Sequence, residues 1–241
     1  MTDPKVDKEI QNYKDTIIQK ANQIIHKIIP NKILELEKKN QEIQKNQILK
    51  KKQETSHHVQ IIQNEKTEQK IKKPKSNTKT TLKKEEEEKK ELDFEVPCNK
   101  DVSLLIHDIK KEVLELVDYS KTIQLWIQFL TPKVSDGNNF GVEIQQEILE
   151  EFSRAEDSCF VVLDSIGKYF ISRAKLISNW LKHKDISDFE RGIVELDLSQ
   201  ILSCEMIFKD LQNDYSILYD IVIKNLEKIE NPRPERSVTM Y

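Results

Sequence analysis

The side chains able to do chemistry are scattered along this 241-residue chain. His26, His57, His58, His107 and His183 show neither an HExxH run nor a comparable ligand spacing. Each reads as a solvated or core-edge side chain and not as a metal ligand. Cys98, Cys159 and Cys204 are odd in number, far apart and without a CxxC pair. That is the pattern of a reducing compartment, not of a disulfide framework or a zinc site. Neither a P-loop nor a GxGxxG run occurs, so no nucleotide site is signalled. The many carboxylates fall on polar helix faces, where solvation explains them. No catalytic set assembles, and the residues point to a non-enzymatic protein without metal or cofactor.

One segment is different. Gly137 and Gly141, two of only four glycines, bracket Asn138, Asn139 and Phe140 in the run Asp136-Gly137-Asn138-Asn139-Phe140-Gly141. Gly and Asn tolerate positive φ, so this stretch can form a compact turn. Phe140 is a large apolar residue in an otherwise polar tip. Two readings follow: a helix–helix turn whose Phe caps the end of the core, or a functional loop. Residue chemistry alone favours the first.

The elements that would hold this loop are helices. Charged residues make up 34% of the chain and glycine and proline are scarce, which favours long helices over sheets. Pro4 after Asp3 suits the start of a helix. Its stripe runs through Ile10, Ile17, Ala21, Ile24, Ile25, Ile28 and Ile29, and resumes at Ile33, Leu34 and Leu36. Pro30 is expected to kink it. A second helix, capped by Asn99, carries Val102, Leu105, Ile106, Ile109, Val113, Leu116, Val117, Ile123, Ile127 and Leu130, and ends at Thr131-Pro132. A third is expected from about Val142, with Ile148, Phe152, Ala155, Cys159, Val162, Ile166, Phe170, Ala174, Ile177 and Leu181 inward. Ser187 and Glu190 stand at capping-box spacing before a fourth. That helix carries Phe189, Ile193, Leu196, Phe208, Leu211, Tyr215, Leu218, Val222, Leu226 and Ile229, and Asn231-Pro232-Arg233-Pro234 stops it. Helices this long bury such stripes most simply in an all-α, elongated antiparallel four-helix bundle. Broad apolar coverage on the middle helices leaves room for self-association.

The expected organisation is residues 1–52 for the first helix, 53–96 for a flexible charged insert, 97–230 for the remaining helices with the loop at 132–142, and 231–241 for a tail. The insert has few large apolar residues and could not bury enough surface to offset its ordering entropy. Its Lys72-Lys73-Pro74-Lys75 cluster has a nuclear-import reading, although any solvated linker carries such charges. Residues 1–96 hold 22 lysines against 17 acidic residues, while the remainder holds 17 basic against 25 acidic. This imbalance, the acidic block Glu85–Glu88 and the lack of interleaved aromatics argue against nucleic-acid binding. The start lacks an apolar signal-like core and no apolar run approaches the ~20 residues of a membrane span. The expected location is therefore the cytoplasm, with the nucleus also open.

The loop segment, Pro132-Lys133-Val134-Ser135-Asp136-Gly137-Asn138-Asn139-Phe140-Gly141-Val142, resembles the activation loop of the 11S (REG-type) proteasome activators. Leu125-Trp126-Ile127 resembles that family's Trp-containing helix. The stretch from Asp214 to Ile229, followed by Pro232-Arg233, resembles its last helix. Lys5-Val6-Asp7 and Ile29-Pro30-Asn31-Lys32-Ile33 also fit the pattern. The resemblance covers nearly all of the chain except 53–96, where family members carry a variable charged insert. It implies a heptameric ring of four-helix subunits with a central channel, docking without ATP on the α-subunits of the proteasome core particle. Animal members include homo- and hetero-heptamers; a heptamer of this chain is the expectation. By the same resemblance Asn138 is the residue on which gate opening depends most. Gly137, Asn139, Phe140 and Gly141 hold its geometry, and Thr239, Met240 and Tyr241 anchor the ring. The competing reading is a coiled-coil scaffold or tether in which loop and tail are incidental.

Overall fold

The structure, a computed structural model, describes residues 4–51, 96–135 and 137–233. All regular structure among them is helical. α1 (Pro4–Gln23) passes through a π-helical turn (Ile24–Ile28) into α2 (Ile29–Lys51). α3 spans Lys100–Leu130, α4 Phe140–Lys182, α5 Ser187–Lys224 and the short α6 Leu226–Glu230. The first of two compact units contains residues 1–40 and 100–241 and is the bundle. The second covers Gln41–Asn99, and its described parts are the end of α2 and the irregular Val96–Asn99. The expected flexible insert at 53–96 lies outside the described residues apart from Val96.

Burial follows the sequence stripes. Ile17, Ala21, Ile24, Ile25, Ile29 and Leu36 face inward from the first helix, and Val102, Ile106, Ile109, Val113, Leu116, Ile123 and Ile127 from α3. Ile148, Phe152, Ala155, Cys159 and Ile166 are buried on α4, and Cys204, Phe208, Leu211, Tyr215, Leu218 and Val222 on α5. Cys159 and Cys204 pack as small hydrophobes. Burial, with Asp214 and Glu156 nearby, pushes the Cys159 thiol up to about 12, far from the thiolate a nucleophile needs. The three described histidines, His26, His107 and His183, are exposed; His57 and His58 lie outside the described residues.

Polar links set the pairing of the helices. Lys32 contacts Glu112 at 2.9 Å and Glu115 at 2.7 Å, Lys39 contacts Asp108 at 2.7 Å, and Tyr13 lies edge-on to Phe129. These pairs run in opposite chain directions, so α1–α2 is antiparallel to α3. Burial would lower the Lys32 pKa, but the two carboxylates outweigh it and hold the ammonium above its ordinary value. Asn40 donates to Gln212 at 2.7 Å and joins α2 to α5. Between α4 and α5, Asp197 accepts from Tyr169 at 2.8 Å and from Arg173 at 3.0 Å, fixing the register of that hairpin.

Three local expectations change. The disturbance at Pro30 takes the form of the π-helical turn before it, where the Ile29 N–H bonds to the Ile24 carbonyl. A widened turn re-routes the hydrogen bonds around a residue that has no N–H of its own. The Ser187–Glu190 capping box does not form: α5 already starts at Ser187, the N-cap is Ile186, and no side chain caps it. The backbone turn Ile186 N–H to His183 carbonyl, at 3.1 Å, sets the start instead. The last helix is also broken at Asn225, whose side chain donates to the Ile221 carbonyl at 2.8 Å. Such a bond offers the backbone an alternative to the helical ladder.

Candidate functional site: the loop between α3 and α4

α3 closes at Thr131, whose N–H and hydroxyl both bond to the Ile127 carbonyl, at 3.0 and 3.1 Å. Pro132 then directs the chain out of the helix, and Lys133, Val134 and Ser135 run along the surface without regular structure. Asp136 lies outside the described residues. Gly137 has φ of +132°, a conformation that side-chain-bearing residues rarely adopt, with open space around it. Asn138 then folds its side chain onto the backbone, its Oδ1 accepting from the Phe140 N–H at 3.2 Å. This Asx-type bond tightens the tip.

α4 begins at Phe140, two residues earlier than the pattern suggested. Asn139 occupies the N-cap position and its carbonyl accepts from the Glu143 N–H at 2.9 Å. Its side chain makes no capping bond. Phe140 is 60% exposed, so it does not cap the core as the simpler reading of the loop required. The tip therefore presents a large apolar ring to solvent beside Asn138.

The base of the loop is held by the far end of the chain. Ile229 of α6 is fully buried, and its carbonyl accepts from the buried Gln145 side chain at 2.8 Å. Pro232 is buried directly over Gly141. A Cβ on Gly141 would meet the Pro232 carbonyl oxygen at 2.2 Å, its Cα at 2.6 Å and its carbonyl carbon at 2.7 Å. Only glycine admits a backbone this close. Arg233 then reaches along the loop. Its Nη1 donates to the Lys133 carbonyl at 2.9 Å and to the Ser135 hydroxyl; its Nη2 donates to Asn139 Oδ1 at 2.6 Å and to the Ser135 carbonyl at 3.4 Å. The planar guanidinium suits several acceptors at once.

Of the expected site residues, the structure brings Gly137, Asn138, Asn139 and Phe140 into one tip, with Gly141 buried at its base. Thr239, Met240 and Tyr241 lie outside the described residues. Sequence reading missed Arg233 as part of the site, since Pro232-Arg233 appears there only as a helix stop and a family mark. Its partners lie 94–100 positions away, beyond any local pattern. Among the described residues no group of three or more His, Cys, Asp or Glu could hold a metal ion, and no helix is long and apolar enough to cross a membrane.

The described residues thus form a helical bundle whose Gly/Asn loop is joined to the segment that follows α6. The family models for the N-terminal and C-terminal parts of proteasome activator PA28 match residues 4–51 and 95–239, and the chain belongs to this proteasome activator family. Over 143 residues it is 37% identical to human proteasome activator complex subunit 3, a match that takes in 59% of this chain and 56% of that protein. It thus spans little more than half the length of that relative. Proteasome activator 28 of Dictyostelium discoideum is 29% identical over 237 residues, covering 98% of this chain and 96% of the relative. Among solved structures, the 11S subunit of the Plasmodium falciparum proteasome, PA28, superposes with a TM-score of 0.70 at 27% identity over 97% of both chains. A chain from an archaeal 20S proteasome in complex with a mutated P26 activator matches with a TM-score of 0.61 and 14% identity, a likeness of fold alone.

Proposed function

We propose that this chain is an ATP-independent activator of the proteasome core particle. Seven copies form a ring with a central channel, the C-terminal tails dock on the α-subunits, and the loop centred on Asn138 opens the gate to peptides. The observation that carries this reading is the joining of loop and C-terminal segment at one end of the bundle, through Pro232 on Gly141 and Arg233 on Lys133, Ser135 and Asn139. Eight positions separate Arg233 from Tyr241. Fully extended, that length reaches at most ~26–29 Å. Tail residues Thr239, Met240 and Tyr241 can therefore engage a surface close to the one the loop tip meets.

The division of labour follows from physical chemistry. A single short tail binds weakly, but seven on one ring act at high effective concentration. Binding alone does not open a gate, because a ligand shifts an equilibrium only by preferring one state. An exposed Phe140 beside an Asn138 already constrained by its bond to the Phe140 N–H can supply that preference at a reduced ordering cost on contact. The site of action is the cytoplasm, and nuclear entry would rest on Lys72-Lys73-Pro74-Lys75. The direct test mixes purified protein with core particles of its own organism and follows cleavage of a short fluorogenic peptide. Stimulation by the rings is expected; well-formed rings that leave the rate unchanged would favour the scaffold reading.

A further inference from the structure

We propose that Arg233 is a positioning residue that locks the loop in its working shape and ties it to the segment from which the tail departs, an inference that rests on the activator reading above. Three observations carry it. Among the described residues the guanidinium spans the loop, gathering Lys133 and Ser135 from the α3 side and Asn139 from the α4 side. Second, Asn139 holds the N-cap position of α4 yet turns its Oδ1 to Arg233 at 2.6 Å and makes no cap bond. An N-cap side chain normally accepts from its own helix, so a favourable local bond has been diverted to the C-terminal segment. Third, a cation at a helix N-terminus opposes the helix dipole. Helix stability alone would place an anion there, and the arrangement is explained by what it does for the loop.

The mechanical consequence is specific. Pro232 is packed on Gly141, so the backbone preceding Arg233 cannot slide without disturbing the first turn of α4. Arg233 then transmits the position of that backbone to both limbs of the loop. Tail docking and loop presentation become one event: a docked tail fixes Arg233, and Arg233 holds Asn138 and Phe140 at a set height above the docking surface. Since the guanidinium meets four acceptors in a fixed fork, a lysine, which presents a single point of charge, cannot replace it.

The test compares Arg233→Gln, Arg233→Lys and Ser135→Ala with the unaltered chain. Four readouts are needed: ring assembly by sedimentation, amide hydrogen exchange across 133–141 in the free ring, the activator concentration giving half-maximal core-particle binding, and maximal peptide hydrolysis at saturation. Both Arg233 variants are expected to assemble, to bind within about threefold of the unaltered chain, to exchange loop amides at least tenfold faster, and to lose at least tenfold in maximal stimulation. Ser135→Ala, which removes one of four acceptors, should lose less than threefold. Full stimulation by Arg233→Lys would overturn the proposal, because charge without the fork would then suffice. Unchanged exchange in Arg233→Gln would overturn it as well. A loss confined to binding would reassign Arg233 to docking. Should the unaltered chain itself give no stimulation, the activator reading fails; the exchange measurement still decides whether Arg233 locks the loop.

Discussion

Adding one carbon at Gly141 is a sharp perturbation of the site. Gly141 is not held by an unusual φ; its constraint is the backbone of Pro232, whose carbonyl oxygen would stand 2.2 Å from an added Cβ, where contacts under 3.0 Å essentially never occur. In Gly141→Ala that oxygen must retreat by about 0.8 Å merely to reach 3.0 Å, and the obstacle is backbone that no rotamer change can relieve. Overpacking of this kind costs about 1–3 kcal/mol. Moving Pro232 also moves Arg233, loosening hydrogen bonds worth net about 0.5–1.5 kcal/mol each at a partly solvated site. The expected sum is roughly 2–4 kcal/mol, a fall in Tm on the order of 5–10 °C for a chain of this size at fixed protein concentration. Maximal stimulation of the core particle should fall by more than binding does. Gly167→Ala is the internal control: it lies mid-helix in α4 with nothing within 4 Å, and should raise stability by about 0.5–1 kcal/mol. Differential scanning fluorimetry on both variants reads the contrast. Equal, small effects at the two positions would refute the claim that the C-terminal segment is wedged against the base of the loop.

Asn138→Tyr replaces the side chain that accepts from the Phe140 N–H, and is expected to leave ring assembly and core binding intact while abolishing stimulation; parallel loss of binding would contradict that separation. Deleting Tyr241 should raise the concentration for half-maximal binding at least tenfold, and an unchanged value would remove the tail from the account. Lys32→Met strands Glu112, whose side chain is 8% exposed, beside Glu115; breaking a buried pair on one side costs about 3–5 kcal/mol, so a denaturant-derived loss under about 1 kcal/mol would show that the pair behaves as a surface contact. Asp214 is raised to about 6 by burial and then by neighbouring Asp210. The folded state therefore holds that proton more tightly than the unfolded chain, and stability from this site is lost as pH rises from about 4 through about 6. Asp214→Asn should accordingly melt higher than the unaltered chain above pH 6, with the gap closing toward pH 4; a gap independent of pH would contradict the assignment.

Periodicity made the bundle legible because burial on a helix repeats every three or four residues. Val102, Ile106, Ile109 and Val113 could be placed inward on that ground, and they are. Where a stripe runs past the packed part it overstates burial: Ile10 and Leu34 fit the pattern but are 48% and 55% exposed. Ala174, Ile177 and Leu181 similarly sit where α4 is no longer fully covered. Termini were less legible because competing bonds decide them. The Asn225 side chain interrupts the last helix, and a backbone turn at His183 displaces the Ser187 cap. In the site, Gly137 and Asn138 were readable as turn formers since their roles are local. Gly141 was readable as glycine but not for its reason, which is a contact with Pro232 ninety-one positions away. Arg233 had no local signal at all; only the folded chain brings it to Asn139.

The central claim is that this chain opens the proteasome core particle, and the most direct measurement is the rate of fluorogenic peptide cleavage by purified core particles titrated with the purified protein in the absence of ATP. The expected result is a saturable increase in rate that appears with ring assembly, is lost in Asn138→Tyr despite retained binding, and shifts to higher concentration when Tyr241 is deleted. Rings that bind the core particle, or fail to bind it, without changing the cleavage rate at any concentration would contradict it.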